Sequence, residues 1–146
     1  MAGGDFMKNL SNREIILVVF SMAGKIVGKT TLQKLFYLLE REQNIQIGVP
    51  FPIHLYGPYS RELDHEIDSY VKEGKLKYSV GSTFSNDVCY EYAISDNGRK
   101  EGMKIWEGLS TDIKEKILKH IAKFGSMKPS EIVRYVYETY PDAKPK

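Results

Sequence analysis

The sequence predicts a mainly α-helical protein carrying one small β-hairpin, on three observations. Apolar residues recur at helical period along most of the chain. Two segments, Leu76–Val80 and Val88–Ile94, instead alternate apolar with polar residues, and the turn-rich run Gly81–Asp87 separates them. Ser11, Ser60 and Pro129 each stand where a helix would open. The 146 residues make about one domain by the usual ~100–200 residues per domain. A chain of this length buries roughly two-thirds of its unfolded surface, so its core needs neither a disulfide nor a metal.

Ser11-Asn-Arg-Glu14 has capping-box spacing directly before an apolar run, which predicts a first helix at about 12–23. Ile15, Ile16, Val18, Val19, Phe20 and Met22 would bury it nearly all round. A second helix at about 30–43 carries Leu32, Leu35, Phe36 and Leu39 as its apolar stripe. Gln33, Lys34, Glu40 and Arg41 fall on its polar remainder. The link between the two reads as a plain turn, with Gly24 or Gly28 closing the first helix and Thr30 or Thr31 capping the second.

Pro50 and Pro52 break the chain, Ile53–Tyr56 is short and extended, and Gly57-Pro58 marks a turn. Tyr56 is expected to face the core and Tyr59 to stand outward. Ser60 caps a third helix at about 60–73, which packs Leu63, Ile67, Tyr70 and Val71 and closes at Gly74. After the hairpin come helices at about 96–108, 111–124 and 129–140, with Pro129 in the last one's first turn and Pro141 after its end. The expected layout is a disordered start at 1–10, one domain at 11–141 with a C-terminal helical extension at about 111–140, and a tail at 142–146. Helix, helix, short strand, helix, hairpin is the order of winged-helix domains, here with additional C-terminal helices.

Three stretches carry a resemblance: Lys29-Thr-Thr-Leu-Gln-Lys-Leu-Phe-Tyr37, His54-Leu-Tyr-Gly-Pro-Tyr-Ser-Arg-Glu-Leu63 and Tyr92-Ala-Ile-Ser-Asp-Asn-Gly98. They resemble the prokaryotic YwgA-like proteins and, more distantly, the Panacea or SocA-like antitoxin domain. Tyr135-Val-Tyr-Glu-Thr-Tyr-Pro141 resembles an ending of archaeal members, whereas Ile94-Ser95 departs from the usual Leu-Thr. The resemblance spans roughly residues 12–141. It implies a non-enzymatic regulatory or antitoxin-type role through protein contacts, and it carries over no catalytic residue.

Composition narrows the classes further. Hydrophobic residues make 42% and charged ones 27%, ordinary for a globular chain. The net charge of +2 is too small to imply a nucleic-acid or membrane partner. It hides a gradient: residues 44–96 carry four bases against eight acids, residues 97–146 eleven against seven. A lone cysteine, Cys89, forms no internal disulfide and fits reducing cytoplasm. Ile15–Phe20 is far short of the ~20 residues that span a bilayer.

Ala23-Gly-Lys-Ile-Val-Gly28-Lys29-Thr30 matches a phosphate-binding loop in its last three positions, with Ala23 at the first glycine. That chemistry also needs a second metal-holding carboxylate, for which Asp96 is the one candidate, and a parallel sheet that the chain does not predict. Nucleotide binding is therefore a remote alternative. His54, His65 and His120 lack metal-ligand spacing, and Cys89 lies in a strand, so neither a metal nor a nucleophile is expected.

DNA reading would fall to the third helix, yet residues 60–73 hold Arg61 and Lys72 against Glu62, Asp64, Glu66, Asp68 and Glu73. Such a helix is repelled by phosphates. The wing, Gly81–Asp87, has no Lys or Arg. A basic stripe does exist on the fifth helix at Lys116, Lys119 and Lys123. Aromatic rings outnumber the places that could hide them: Phe84 on the wing, Tyr56 and Tyr59 at the corner, and Tyr135, Tyr137 and Tyr140 on the last helix. The resulting expectation is a cofactor-free regulator that binds a protein through Tyr59, Arg61 and Phe84, with the acidic face of Glu62, Glu66 and Glu73 steering a basic partner. The alternative is a DNA-binding transcriptional regulator, alone or as a homodimer, that uses the Lys116 stripe.

Overall fold

The computed structural model describes residues 10–82 and 88–146. Phe84 lies outside the described residues. The chain is mainly helical with a small antiparallel sheet. In order it forms α1 (Asn12–Ala23), β1 (Lys25–Val27), α2 (Lys29–Gln43), β2 (Ile53–His54), β3 (Gly57–Pro58), α3 (Arg61–Lys72) and β4 (Leu76–Ser82). Then come β5 (Val88–Ile94), α4 (Asp96–Glu107), α5 (Thr111–Phe124), α6 (Pro129–Thr139) and a 3₁₀ turn, Pro141–Ala143.

The helices begin where side chains can satisfy their free N–H groups. Ser11 and Glu14 form the capping box of α1, and the hydroxyls of Ser60, Ser95 and Ser110 accept from Leu63, Gly98 and Ile113. Residues Ile15–Ser21 of α1 are all buried, which makes this helix the axis of the core. Helix α2 lies in the same cluster, and β5, α3, α5 and α6 close around the pair.

The link between α1 and α2 is not a plain turn. Lys25–Val27 is a strand that pairs antiparallel with β5 in the register Lys25↔Ala93 to Val27↔Glu91, so the sheet order is β1-β5-β4. Ile26 is fully buried there, and one buried residue between two exposed ones is too short a pattern to announce a strand. Gly24 closes α1 and Gly28 stands at the head of α2.

Gly57-Pro58 is likewise a strand rather than a turn. It pairs with Ile53–His54, and the chain reverses at Leu55 and Tyr56 instead. Glycine is required at 57, where φ is 94° and an added Cβ would stand 3.2 Å from the Tyr137 ring and 3.6 Å from Lys34 Cε. The first residues after Pro141 touch the fold. Asp142 accepts two hydrogen bonds from Arg41, at 2.8 and 3.1 Å, and Ala143 is buried.

His120 is buried in α5 with Nε2 2.9 Å from the Leu35 carbonyl oxygen. That nitrogen must carry a proton to donate, so the buried Nδ1, which has no partner among the described residues, is bare. Burial holds the imidazole below its ordinary value of 6.5. The unfolded chain therefore takes up a proton that the folded one refuses, and stability must fall as pH drops below 6.5. His120→Gln, which keeps a donor toward Leu35, should flatten that acid limb in urea titrations from pH 7 to 5; an unchanged slope would place the acid sensitivity elsewhere.

Candidate functional site

Two buried polar residues organise one end of α2. Gln33 and Lys34 were expected on the polar face, yet their exposures are 0% and 1%. Both reach the corner that follows the β2–β3 hairpin. Gln33 accepts from the Ser60 N–H at 2.7 Å, and its amide donates to Ser60 O and to Asp64 Oδ1, each at 2.9 Å. Lys34 Nζ donates to the Pro58 carbonyl oxygen at 2.9 Å. The first two stretches of the family resemblance, around Lys29–Tyr37 and His54–Leu63, are thus joined by these bonds.

Lys34 lines a cleft of about 210 Å³ together with Lys29, Thr30, His54, Leu55, Tyr56 and Tyr59. The walls are mostly apolar, and no carboxylate lies among the described lining residues. Burial alone pushes the Lys34 amine down to about 8. Among the described residues no acid pairs with it; the Pro58 carbonyl is its hydrogen-bond acceptor. Helix α2 adds its N-terminal dipole at the same place, because Gly28 offers no side chain to cap it. On the far side of Lys29 and Thr30 lies a wider depression of about 390 Å³, walled by Val27, Val88, Cys89, Tyr90 and Pro129.

The corner's two tyrosines take the reverse of their expected places. Tyr56 stands out, 64% exposed beside Leu55 at 78%, because the hairpin turns at these two residues and no described element covers them. Tyr59 is half-buried: its ring meets His54 edge-on at 5.5 Å and its hydroxyl donates to Asp64. Burial, and then the Asp64 carboxylate, raise that phenol to about 12.

Tyr59 is thereby separated from the other residues expected to bind a partner. Arg61, Glu62 and Glu66 line a different and shallow depression with Val49, Pro50 and His65. Glu66 is held by Arg13 at 3.1 Å, and Arg13 also pairs with Glu73 at 2.8 Å. The basic stripe is partly neutralised within the fold. Lys116 pairs with Asp112 at 3.4 Å, and Lys123 with Glu42 at 3.7 Å, whereas Lys119 is exposed. Tyr135 and Tyr137 of α6 and Tyr140 just after it are half-buried, and Tyr135 and Tyr140 donate to Glu42.

The loop Ala23–Thr30 has a strand at its centre, so Lys29 and Thr30 open α2 behind an antiparallel edge strand. Both sheets among the described residues are antiparallel, and Asp96 is an exposed residue in the first turn of α4. The phosphate loop requires a parallel sheet that this geometry does not supply. Among the described residues no group of His, Cys, Asp and Glu is placed to hold a metal, and no helix is long and apolar enough to cross a membrane.

No family model matches the chain. It is similar to a protein of Bacillus subtilis (strain 168) described as uncharacterized protein YwgA. Identity is 31% over 86 residues, covering 57% of this chain and 49% of that protein. The chain spans about half the length of this curated relative. The YwgA-like resemblance therefore extends to a curated sequence, and the relative's description assigns no activity.

Proposed function

We propose that the chain is a non-enzymatic, cofactor-free regulatory module of winged-helix type that acts by gripping another protein, in the manner of an antitoxin or adaptor. The carrying observation is the β2–β3 tip. Ile53, Leu55 and Tyr56 are exposed at 49%, 78% and 64%, on a hairpin whose exit the buried Gln33 and Lys34 pin by hydrogen bonds. Apolar and aromatic side chains held in place at a surface are what interface anchors are made of, because little conformational entropy remains to be lost on binding. The element order α1-β1-α2-α3-β4-β5, interrupted by the β2–β3 hairpin between α2 and α3, together with the sheet order β1-β5-β4 supports the winged-helix reading, the wing being the β4–β5 hairpin.

The DNA-binding alternative draws less support. Helix α3 is acidic, and Lys116 and Lys123 already face carboxylates. A photo-crosslinking residue placed at position 56 should capture a discrete partner in native lysate, and Leu55→Asp should abolish the capture. The same residue at position 119 should capture nothing above background. Retention on heparin with a steep salt dependence, lost on replacing Lys116, Lys119 and Lys123, would instead establish the DNA regulator.

A further inference from the structure

We propose that the Lys34 cleft is a carboxylate pocket, filled by an Asp or Glu side chain of the protein partner whose apolar neighbours lie on Leu55 and Tyr56. This deepens the protein-contact reading and rests on it. An ammonium has three N–H donors, and a fully buried lysine is almost always paired with an anion. Lys34 is 1% exposed, and its acceptor is a neutral carbonyl. Among the described residues no anion supplies the counter-charge, and the cleft that opens beside this side chain gives one a way in.

Size and electrostatics specify what enters. At about 210 Å³ the cleft falls below the ~300–1,000 Å³ of small-molecule pockets and suits one side chain. Lys29 and the uncapped start of α2 add positive potential, and among the described residues no acid on the walls opposes an incoming carboxylate. The Tyr59 hydroxyl is spoken for by Asp64, and Lys34 is the one fully buried donor among the described lining residues. Exposed Leu55 and Tyr56 form the rim, where residues flanking the acid would bury apolar surface.

Two blocked peptides, acetyl-Leu-Glu-Leu-amide and its glutamine counterpart, test this on the full ¹⁵N-labelled chain. The glutamate peptide should shift the amide signals of Lys29, Thr30 and Tyr56 and raise the titration midpoint of the Lys34 amine, an effect that a purely structural lysine would not show. The glutamine peptide should bind about tenfold more weakly or worse, as expected when a charge-assisted bond is lost. Lys34→Met should abolish the preference for glutamate while the chain stays folded. Equal binding of the two peptides, binding of neither, or a preference that survives Lys34→Met overturns the proposal. Inorganic phosphate displacing the glutamate peptide at lower concentration than acetate would overturn it in favour of a phosphate site. If the position-56 crosslink holds while the peptides fail, the pocket falls and the protein-contact reading stands; if Leu55→Asp leaves partner capture intact, the protein-contact reading itself falls.

Discussion

Lys34→Met should stabilise the protein by roughly 2 kcal/mol at pH 7. The folded chain holds this amine at about 8 against an ordinary 10.5. Each unit of difference is worth ~1.4 kcal/mol, so burying the charged form costs roughly 3 kcal/mol at neutral pH. Removing the bond to the Pro58 carbonyl gives back ~1 kcal/mol of that gain. Methionine matches the lysine stem in length and carries no charge to desolvate. The sign of the pH dependence follows from the same shift. Between about 8 and 10.5 the unfolded chain still holds a proton that the folded chain has released, so wild-type stability climbs through this window. The variant lacks the group, so its advantage should shrink from pH 8 upward, vanish before 10.5 and give way above it to a deficit of ~1 kcal/mol, the lost bond to Pro58. Urea unfolding of both chains from pH 7 to 10.5 reads this directly. A Lys34→Met chain less stable than wild type at pH 7 would make Lys34 a structural pin for the corner and remove the motive for a ligand there.

A residue that costs stability where it stands is a departure from consistency between local and global structure, and such departures gather at functional sites. This also explains why the sequence did not betray the site. On α2 the stripe of Leu32, Leu35, Phe36 and Leu39 gave the core face correctly, and Lys34 lies off it. Reading Lys34 as solvated assumes that only one face of α2 is covered. In fact the hairpin, Tyr137 and the Ala143 carbonyl close over the second face, and those neighbours are up to 109 residues away along the chain. Periodicity records how a helix meets the core and carries no signal of a later segment folding back. The shared Gln33-Lys34 and Gly57-Pro58 stretches were visible; that they meet through hydrogen bonds was not.

Legibility elsewhere followed the strength of the local signal. The capped helices α1, α3 and α5 and the hairpin strands start within a residue of expectation, because Ser11, Ser60 and Ser110 cap and the strands alternate. Strands of two and three residues escaped it. Ile26 reads as one apolar residue in a glycine-flanked link, and Gly57-Pro58 has the composition of a turn although it pairs with Ile53 and His54. The reversal of Tyr56 and Tyr59 is a consequence: moving the turn back to Leu55-Tyr56 puts the first ring at the tip and draws the second against His54 and Asp64.

Gly98→Ala should be the more damaging substitution, costing ~3 kcal/mol and lowering the melting temperature by roughly 10 °C. Helix propensity alone predicts the opposite sign, since alanine is favoured over glycine inside a helix by ~1 kcal/mol. The difference lies in what the methyl group meets. A Cβ at position 98 would stand 2.2 Å from the Lys75 carbonyl oxygen and 2.9 Å from Ile94 Cδ1. That oxygen cannot swing away freely. It accepts from the Ser95 N–H at 3.0 Å, while Lys75 N–H donates to Tyr70 O at 2.9 Å and Ser95 Oγ donates to Gly74 O at 2.7 Å. The start of α4 is thus fastened to the α3–β4 junction by backbone on both sides, and relief requires that the helix itself withdraw from the sheet. Gly81→Ala, where no described residue lies within 4 Å, is the control and should leave the melting temperature nearly unchanged. A Gly98→Ala chain that melts at or above wild type would mean that α4 does not sit this close to Lys75.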